Sequence, residues 1–247
     1  MIKRILLSLV MLLILGYLVI AITAFNVKPA DLVCQDINLV IKDSVNAGFI
    51  TKKEVASILT NKKAYPVGKK VDDIDLKVLE EILGTHPLID EVECYKTPSG
   101  KLYVEVTQRV PILRVMAGNG ENYFVDNKGT IMPPESKCVA HLPIVTGNVE
   151  KSFALTDLYQ FALFLQKNKF WNAQIEQINV LKGREVELVP RVGDHIVFLG
   201  KMDDYENKLS RLKEFYRKGL NKVGWNKYKR ISVEFGNQII CTKKNEI

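Results

Sequence analysis

Leu88–Val110, LIDEVECYKTPSGKLYVEVTQRV, decides the first half of the chain. Leu88 to Thr97 reads as a strand and Pro98-Ser99-Gly100 as a turn. Lys101 to Val110 then returns with Leu102, Val104 and Val106 alternating against Tyr103, Glu105 and Thr107, the period of a half-buried strand. Two helices precede this pair. The first opens at Thr51-Lys52-Lys53-Glu54, a capping box in which hydroxyl and carboxylate each satisfy an orphan backbone N–H, and carries Val55, Ile58 and Leu59 on one face. The second is expected to be capped near Asp72 or Asp73, to present Ile74, Leu76, Leu79, Ile82 and Leu83, and to stop at Gly84 before Pro87. Further upstream, Cys34–Ile41 alternates Ile37, Leu39 and Ile41 as another half-buried strand. Strand, helix, helix, strand, strand makes a small α+β unit, two helices covering one face of a sheet, expected to close near Pro111–Val115.

Upstream of that unit lies Ile5–Phe25, ILLSLVMLLILGYLVIAITAF, without a charge and about the ~20 residues a helix needs to cross a bilayer. A cleaved signal peptide would have a shorter apolar core ending in small residues, so a retained anchor is expected. Lys3 and Arg4 ahead of it place the N-terminus in the cytoplasm by the positive-inside rule, with the bulk of the chain on the far side.

Downstream, Met116–Glu121 (MAGNGE) is polar and holds two glycines, and is read as the domain boundary. A hairpin is expected over Asn122–Met132, turning at Asp126–Gly129. After it come an irregular stretch through Pro133-Pro134, then Leu142–Gly147, and a helix over about Leu155–Asn168. A meander from Ala173 to Gly200 should point Ile178, Val180, Val186, Leu188, Ile196 and Phe198 inward. Asp203 and Asp204 should open a late helix with an apolar stripe of Tyr205, Leu209, Leu212, Phe215 and Tyr216, closed by Arg217 and Lys218 before Gly219. Arg230–Phe235 alternates Ile231, Val233 and Phe235 inward. Gly236-Asn237 fits a two-residue turn, and Gln238–Thr242 (QIICT) returns as the last strand. That strand has no proline and meets its first charge only at Lys243. At a sheet edge it would need a cover, and a strand donated by a partner is an ordinary one. Ile240→Pro should then remove a ladder donor and weaken such pairing.

The formal net charge is +7, and much of the excess lies between residues 201 and 230. Outside the membrane such a cluster fits a solvated helix face, an acidic protein partner or anionic headgroups better than nucleic acid. Cys34, Cys94, Cys138 and Cys241 form no CxxC pair or zinc spacing, and four cysteines leave three disulfide connectivities open beside the free thiols. His86, His141 and His195 are isolated. No Gly-x-Ser-x-Gly elbow, HExxH or phosphate loop occurs, so no catalytic residue, metal site, cofactor or small-molecule substrate is expected.

In this order the parts resemble the bacterial FtsQ (DivIB) cell-division family. His86–Val92 (HPLIDEV) resembles the family's entry to the second strand of its POTRA domain, and Val104–Pro111 (VEVTQRVP) its exit. Tyr123–Ile131 (YFVDNKGTI) resembles the Val-Asp-x-x-Gly hairpin that opens its β domain, Leu142–Gly147 (LPIVTG) the following Leu-Pro-x-Leu-x-Gly, and Arg211–Phe215 (RLKEF) its late helix. The resemblance implies an α+β chain: a cytoplasmic tail over 1–4, an anchor over 5–26, a POTRA-like β-α-α-β-β domain over 27–115, a mainly antiparallel β domain with flanking helices over 121–243, and a tail over 244–247. It implies a non-enzymatic inner-membrane scaffold at the division septum, holding FtsB- and FtsL-like single-pass proteins and other septal proteins. The partner-binding residues carried over are Arg211, Phe215, Phe235, Gln238, Ile239, Ile240, Cys241 and Thr242, with Arg211 expected to meet an acidic partner residue. Where many members carry a basic contact residue, this chain has Glu234. The rival reading, a POTRA-bearing assembly or translocation factor, would lead into a membrane barrel with repeated strands of ~9–11 residues, and no such array follows.

Overall fold

The structure is a computed structural model that describes residues 2–25, 32–42, 48–134 and 142–244. Helix α1 (Ile2–Phe25) has a stretch, Lys3–Ile22, long and apolar enough to cross a membrane, and its side chains there lie outside either core. Next come β1 (Asp36–Lys42), α2 (Lys52–Asn61), α3 (Leu76–Gly84), β2 (Ile89–Lys96) and β3 (Lys101–Gln108), the anticipated order. The sheet runs β1-β3-β2, with β1 parallel and β2 antiparallel to the central β3. Val104 and Val106 of β3 and Val55, Leu59, Leu79 and Leu83 of the helices close one core.

The capping box forms as read: the Glu54 carboxylate accepts from the Thr51 N–H at 2.8 Å, and the Glu54 N–H donates to the Thr51 hydroxyl at 3.3 Å. The cap of α3 is corrected. It is Asp75, not Asp72 or Asp73, whose carboxylate takes the N–H groups of Lys77 and Val78, because Ile74 is buried in the turn before the helix. Cys34, Cys94 and Cys241 are free thiols, and Cys138 lies outside the described residues.

The second sheet is larger. Its strands are β4 (Pro111–Ala117), β5 (Asn122–Asp126), β6 (Ile131–Met132), β7 (Ile144–Gly147), β8 (Ile175–Val180), β9 (Val186–Pro190), β10 (Ile196–Gly200), β11 (Tyr228–Ser232) and β12 (Ile240–Lys243). They lie in the order β12-β11-β10-β9-β8-β7-β4-β5-β6; β4–β7, β7–β8 and β10–β11 run parallel and the other pairs antiparallel. Pro111–Val115, expected to close the first module, instead belongs to β4 in this sheet, so the change of sheet falls between Gln108 and Pro111 rather than at Met116–Glu121.

Helices α4 (Lys151–Leu155), α5 (Asp157–Lys167), α6 (Lys169–Gln174) and α7 (Tyr205–Phe215) contribute Phe153, Phe161, Trp171 and Leu212 to one core with Val115, Val145, Ile178, Leu188, Val197 and Ile231 of the strands. Within β10 the expected inward pair, Ile196 and Phe198, is out of phase: Val197 and Leu199 are buried instead. Ile196–Leu199 is apolar throughout, so periodicity cannot set its phase, and Phe198 lies beneath the Arg230 guanidinium, 4.3 Å from its ring centroid. Helix α6 follows the expected helix as a separate element. Asn168 accepts the Trp171 N–H and starts a new turn that buries Trp171 completely. Gly147, the last residue of Leu-Pro-Ile-Val-Thr-Gly, sits at φ +91 with a Cβ position only 2.2 Å from the Val180 carbonyl oxygen; only glycine fits.

Polar groups join the two units. Asp126, fully buried at the end of β5, accepts from Arg109 at 2.7 Å and from the backbone N–H groups of Lys128 and Thr130. Gly129 completes that turn at φ +78. Lys128 reaches Asp90 at 2.7 Å and Glu91 at 3.1 Å on β2. Within the first unit, the Gln108 amide oxygen accepts from the Phe49 and Ile50 N–H groups. The Val-Asp-x-x-Gly hairpin thus folds itself and clamps the first unit.

Candidate partner-binding edge

The site forms where the late helix, β11 and β12 meet. The stripe of α7 packs as expected through Leu209 and Leu212, but Gly219 does not end the helix. One π-type turn, Tyr216–Leu220, carries it on to α8 (Asn221–Val223), and the helix ends at Gly224, φ +96. At Gly219 a Cβ would come within 2.8 Å of the Phe215 ring, so this glycine serves close packing. Tyr216 is buried, its hydroxyl 2.8 Å from His195 Nε2.

Burial pushes the His195 imidazole below its ordinary pKa. The unfolded chain therefore binds a proton that the folded chain does not once pH falls below about 6.5. Stability contributed by His195 is complete above that pH and is lost as pH drops toward the lower folded pKa. Comparing urea unfolding of wild type and His195→Phe at pH 7.5 and 5.5 should show a smaller acid loss in the variant.

β12 is the outer strand of the nine-stranded order and, among the described residues, pairs only with β11, through Arg230↔Thr242, Ile231↔Cys241 and Ser232↔Ile240. The two-residue turn at Gly236-Asn237 is not formed. Pairing stops at Ser232 and resumes at Ile240, and Gly236 lacks the positive φ that a type II′ turn needs at its first position. Residues 233–239 form a loop instead, which turns Phe235 outward to 47% exposure rather than into the core.

Arg211 holds this loop. Its guanidinium donates to the carbonyl oxygen of Val233 at 3.1 Å and to that of Phe235. It also lines an open groove with Ser210, Glu214, Asn237, Gln238 and Ile239. Two of its N–H groups are thus engaged within the chain, where the family resemblance implied an acidic partner. Arg211→Ala should loosen the loop and lower stability by about 1–2 kcal/mol, the scale of charge-assisted bonds with partial solvent access; chemical denaturation checks this.

Phe215 stands apart from the groove. It packs against the main core, its ring centroid 6.3 Å from that of Tyr228. Ile239 and Cys241 lean on the same core, whereas Ile240 and Thr242 are exposed on the other side and Gln238 faces solvent. Two contacts that no local pattern announces pin the end of the edge: Lys244 Nζ lies 3.0 Å from the Asp194 carboxylate, and the Lys244 N–H donates to Lys227.

The second contact sets the polarity of the edge. Backbone groups of an antiparallel strand point alternately toward and away from the neighbour, and the Lys244 N–H points inward. Ile240 and Thr242 then donate to β11, and Cys241 and Lys243 to open solvent. The expectation for Ile240→Pro is therefore corrected: that change breaks the pairing with β11, and Cys241 holds the outward donor.

The architecture defines a class: a long apolar helix, a small β-α-α-β-β unit, then a broad β domain with an open terminal edge. Residues 32–107 match the model of the POTRA-like domain, and residues 110–242 match that of the FtsQ/DivIB, C-terminal related family. The two matches meet where the sheets change. The second covers more than half of the chain, which therefore belongs to the FtsQ/DivIB family. It is also 26% identical over 192 residues to the cell division protein FtsQ of Rhodothermus marinus, covering 73% of this chain and 70% of that one. The chain is a single-pass membrane protein with a scaffold role in cell division, working with other division proteins.

Proposed function

We propose that the chain is a non-enzymatic septal scaffold that captures FtsB- and FtsL-like single-pass proteins by adding a partner strand to β12. The observation that carries this reading is the terminal position of β12: its outward backbone groups are unpaired within the described chain, beside the groove of Arg211, Gln238 and Ile239. Main-chain hydrogen bonds would supply affinity, and exposed Phe235, Ile240 and Thr242 would supply choice. Arg211 and Phe215 contribute by shaping the loop and its support, and Glu234 makes that side of the surface attractive to a basic partner residue. The N-terminus is cytoplasmic and both folded units extracytoplasmic. A fluorescent fusion at the N-terminus should form a mid-cell band before constriction. A uniform envelope signal through the cycle would contradict the reading.

A further inference from the structure

The part of the POTRA-like unit nearest the membrane helix has a character that strand capture does not use. Loop 62–70 (KKAYPVGKK) joins α2 to the turn before α3 and holds four lysines and no acid. Lys62, Lys63, Lys69 and Lys70 are all exposed, and Val67 at its tip is 40% exposed. The loop is stitched to the first described residues after the helix: the Cys34 N–H donates to Lys69, the Gly68 N–H to Cys34 and the Val71 N–H to Leu32, each within 2.9 Å. Val33, 42% exposed, forms a bridge with Lys70. Leu32 in turn packs over Gly100, which brings Lys101 to the same end.

Only seven peptide steps separate Phe25, the last residue of α1, from Leu32. Covalent geometry limits that distance to about 25 Å even when fully extended. The lysine loop is therefore leashed to the bilayer surface by the chain itself. Asp72 and Asp73 follow beyond Val71 and are exposed, while Asp75 is committed to capping α3. Two exposed valines among lysines, held at the root of a membrane helix, match a surface in which ammonium groups meet lipid phosphates and small apolar side chains enter the headgroup layer.

We infer that loop 62–70, with Val33, docks on anionic phospholipid headgroups and fixes the angle at which the POTRA-like unit stands on the membrane. The inference rests on α1 spanning the bilayer. The full-length protein is placed in nanodiscs of phosphatidylcholine, or of phosphatidylcholine with phosphatidylglycerol, and its lysines are acetylated and read by mass spectrometry. Incorporation into the discs checks the membrane helix separately. In the anionic discs Lys62, Lys63 and Lys69 should label about fivefold more slowly, as expected for one basic residue near a charged surface. About 0.5 M salt should abolish the difference, with Lys218 and Lys222 of the second unit unchanged. Equal labelling in both lipids, or protection that salt does not touch, would overturn the inference.

Discussion

Asp126→Ala should lower the unfolding free energy by about 3–5 kcal/mol, the scale for removing one partner of a buried ion pair. The Asp126 side chain is completely buried and serves three donors, Arg109 at 2.7 Å, the Lys128 N–H at 3.0 Å and the Thr130 N–H at 2.6 Å. Alanine leaves all three without their acceptor. Arg109 is 20% exposed and retains Asp90 at 3.9 Å, so partial solvation holds the loss toward the lower end. Asp126→Asn keeps an acceptor for the turn and should cost less. Denaturant unfolding in detergent, followed by tryptophan emission from Trp171 and Trp225, reads both variants. A change below about 1 kcal/mol for alanine would show that the pair is not the clamp described.

The second large effect concerns function. Cys241→Pro should abolish strand capture, an affinity loss of at least about tenfold, while the fold persists. Proline removes one backbone donor and is tolerated on edge strands where that N–H faces solvent. Alternation along β12 from the inward Lys244 N–H puts the Cys241 donor on the open edge, whereas the half-buried side chain can still rest on the core. Ile240→Pro is the contrasting control, because it removes a donor to β11 and should destabilise the edge itself. Titrating the extracytoplasmic segment of an FtsB-like partner against the three proteins, with melting curves alongside, separates lost binding from lost folding. Unchanged binding by Cys241→Pro would sink the assignment of the outward donor.

Much of the first unit was legible because its sequence carries local signals. Thr51 and Glu54 cap α2, and Leu102, Val104 and Val106 alternate in a strand that is central and buried on one face. The hairpin at Asp126–Gly129 was legible for the same reason. What escaped depended on distant neighbours. Pro111–Val115 reads as the tail of one unit because nothing within it says that it will pair with Phe124 and Ile144. Gly219 reads as a stop because the Phe215 ring that excludes a side chain there cannot be seen in composition. At the edge, QIICT identified the last strand, but the alternation of Ile231, Val233 and Phe235 ran past the residue where pairing ends. The role of Arg211 was hidden too, since its acceptors are backbone carbonyls 22 and 24 residues away.

The most direct test of the edge is amide hydrogen exchange along β12, measured residue by residue with and without the partner's extracytoplasmic segment. Strand addition predicts that the Cys241 and Lys243 amides become strongly protected when the partner binds, while Ile240 and Thr242, already bonded to β11, change little. Binding that leaves Cys241 and Lys243 exchanging as fast as in the free protein would contradict it and place the partner elsewhere.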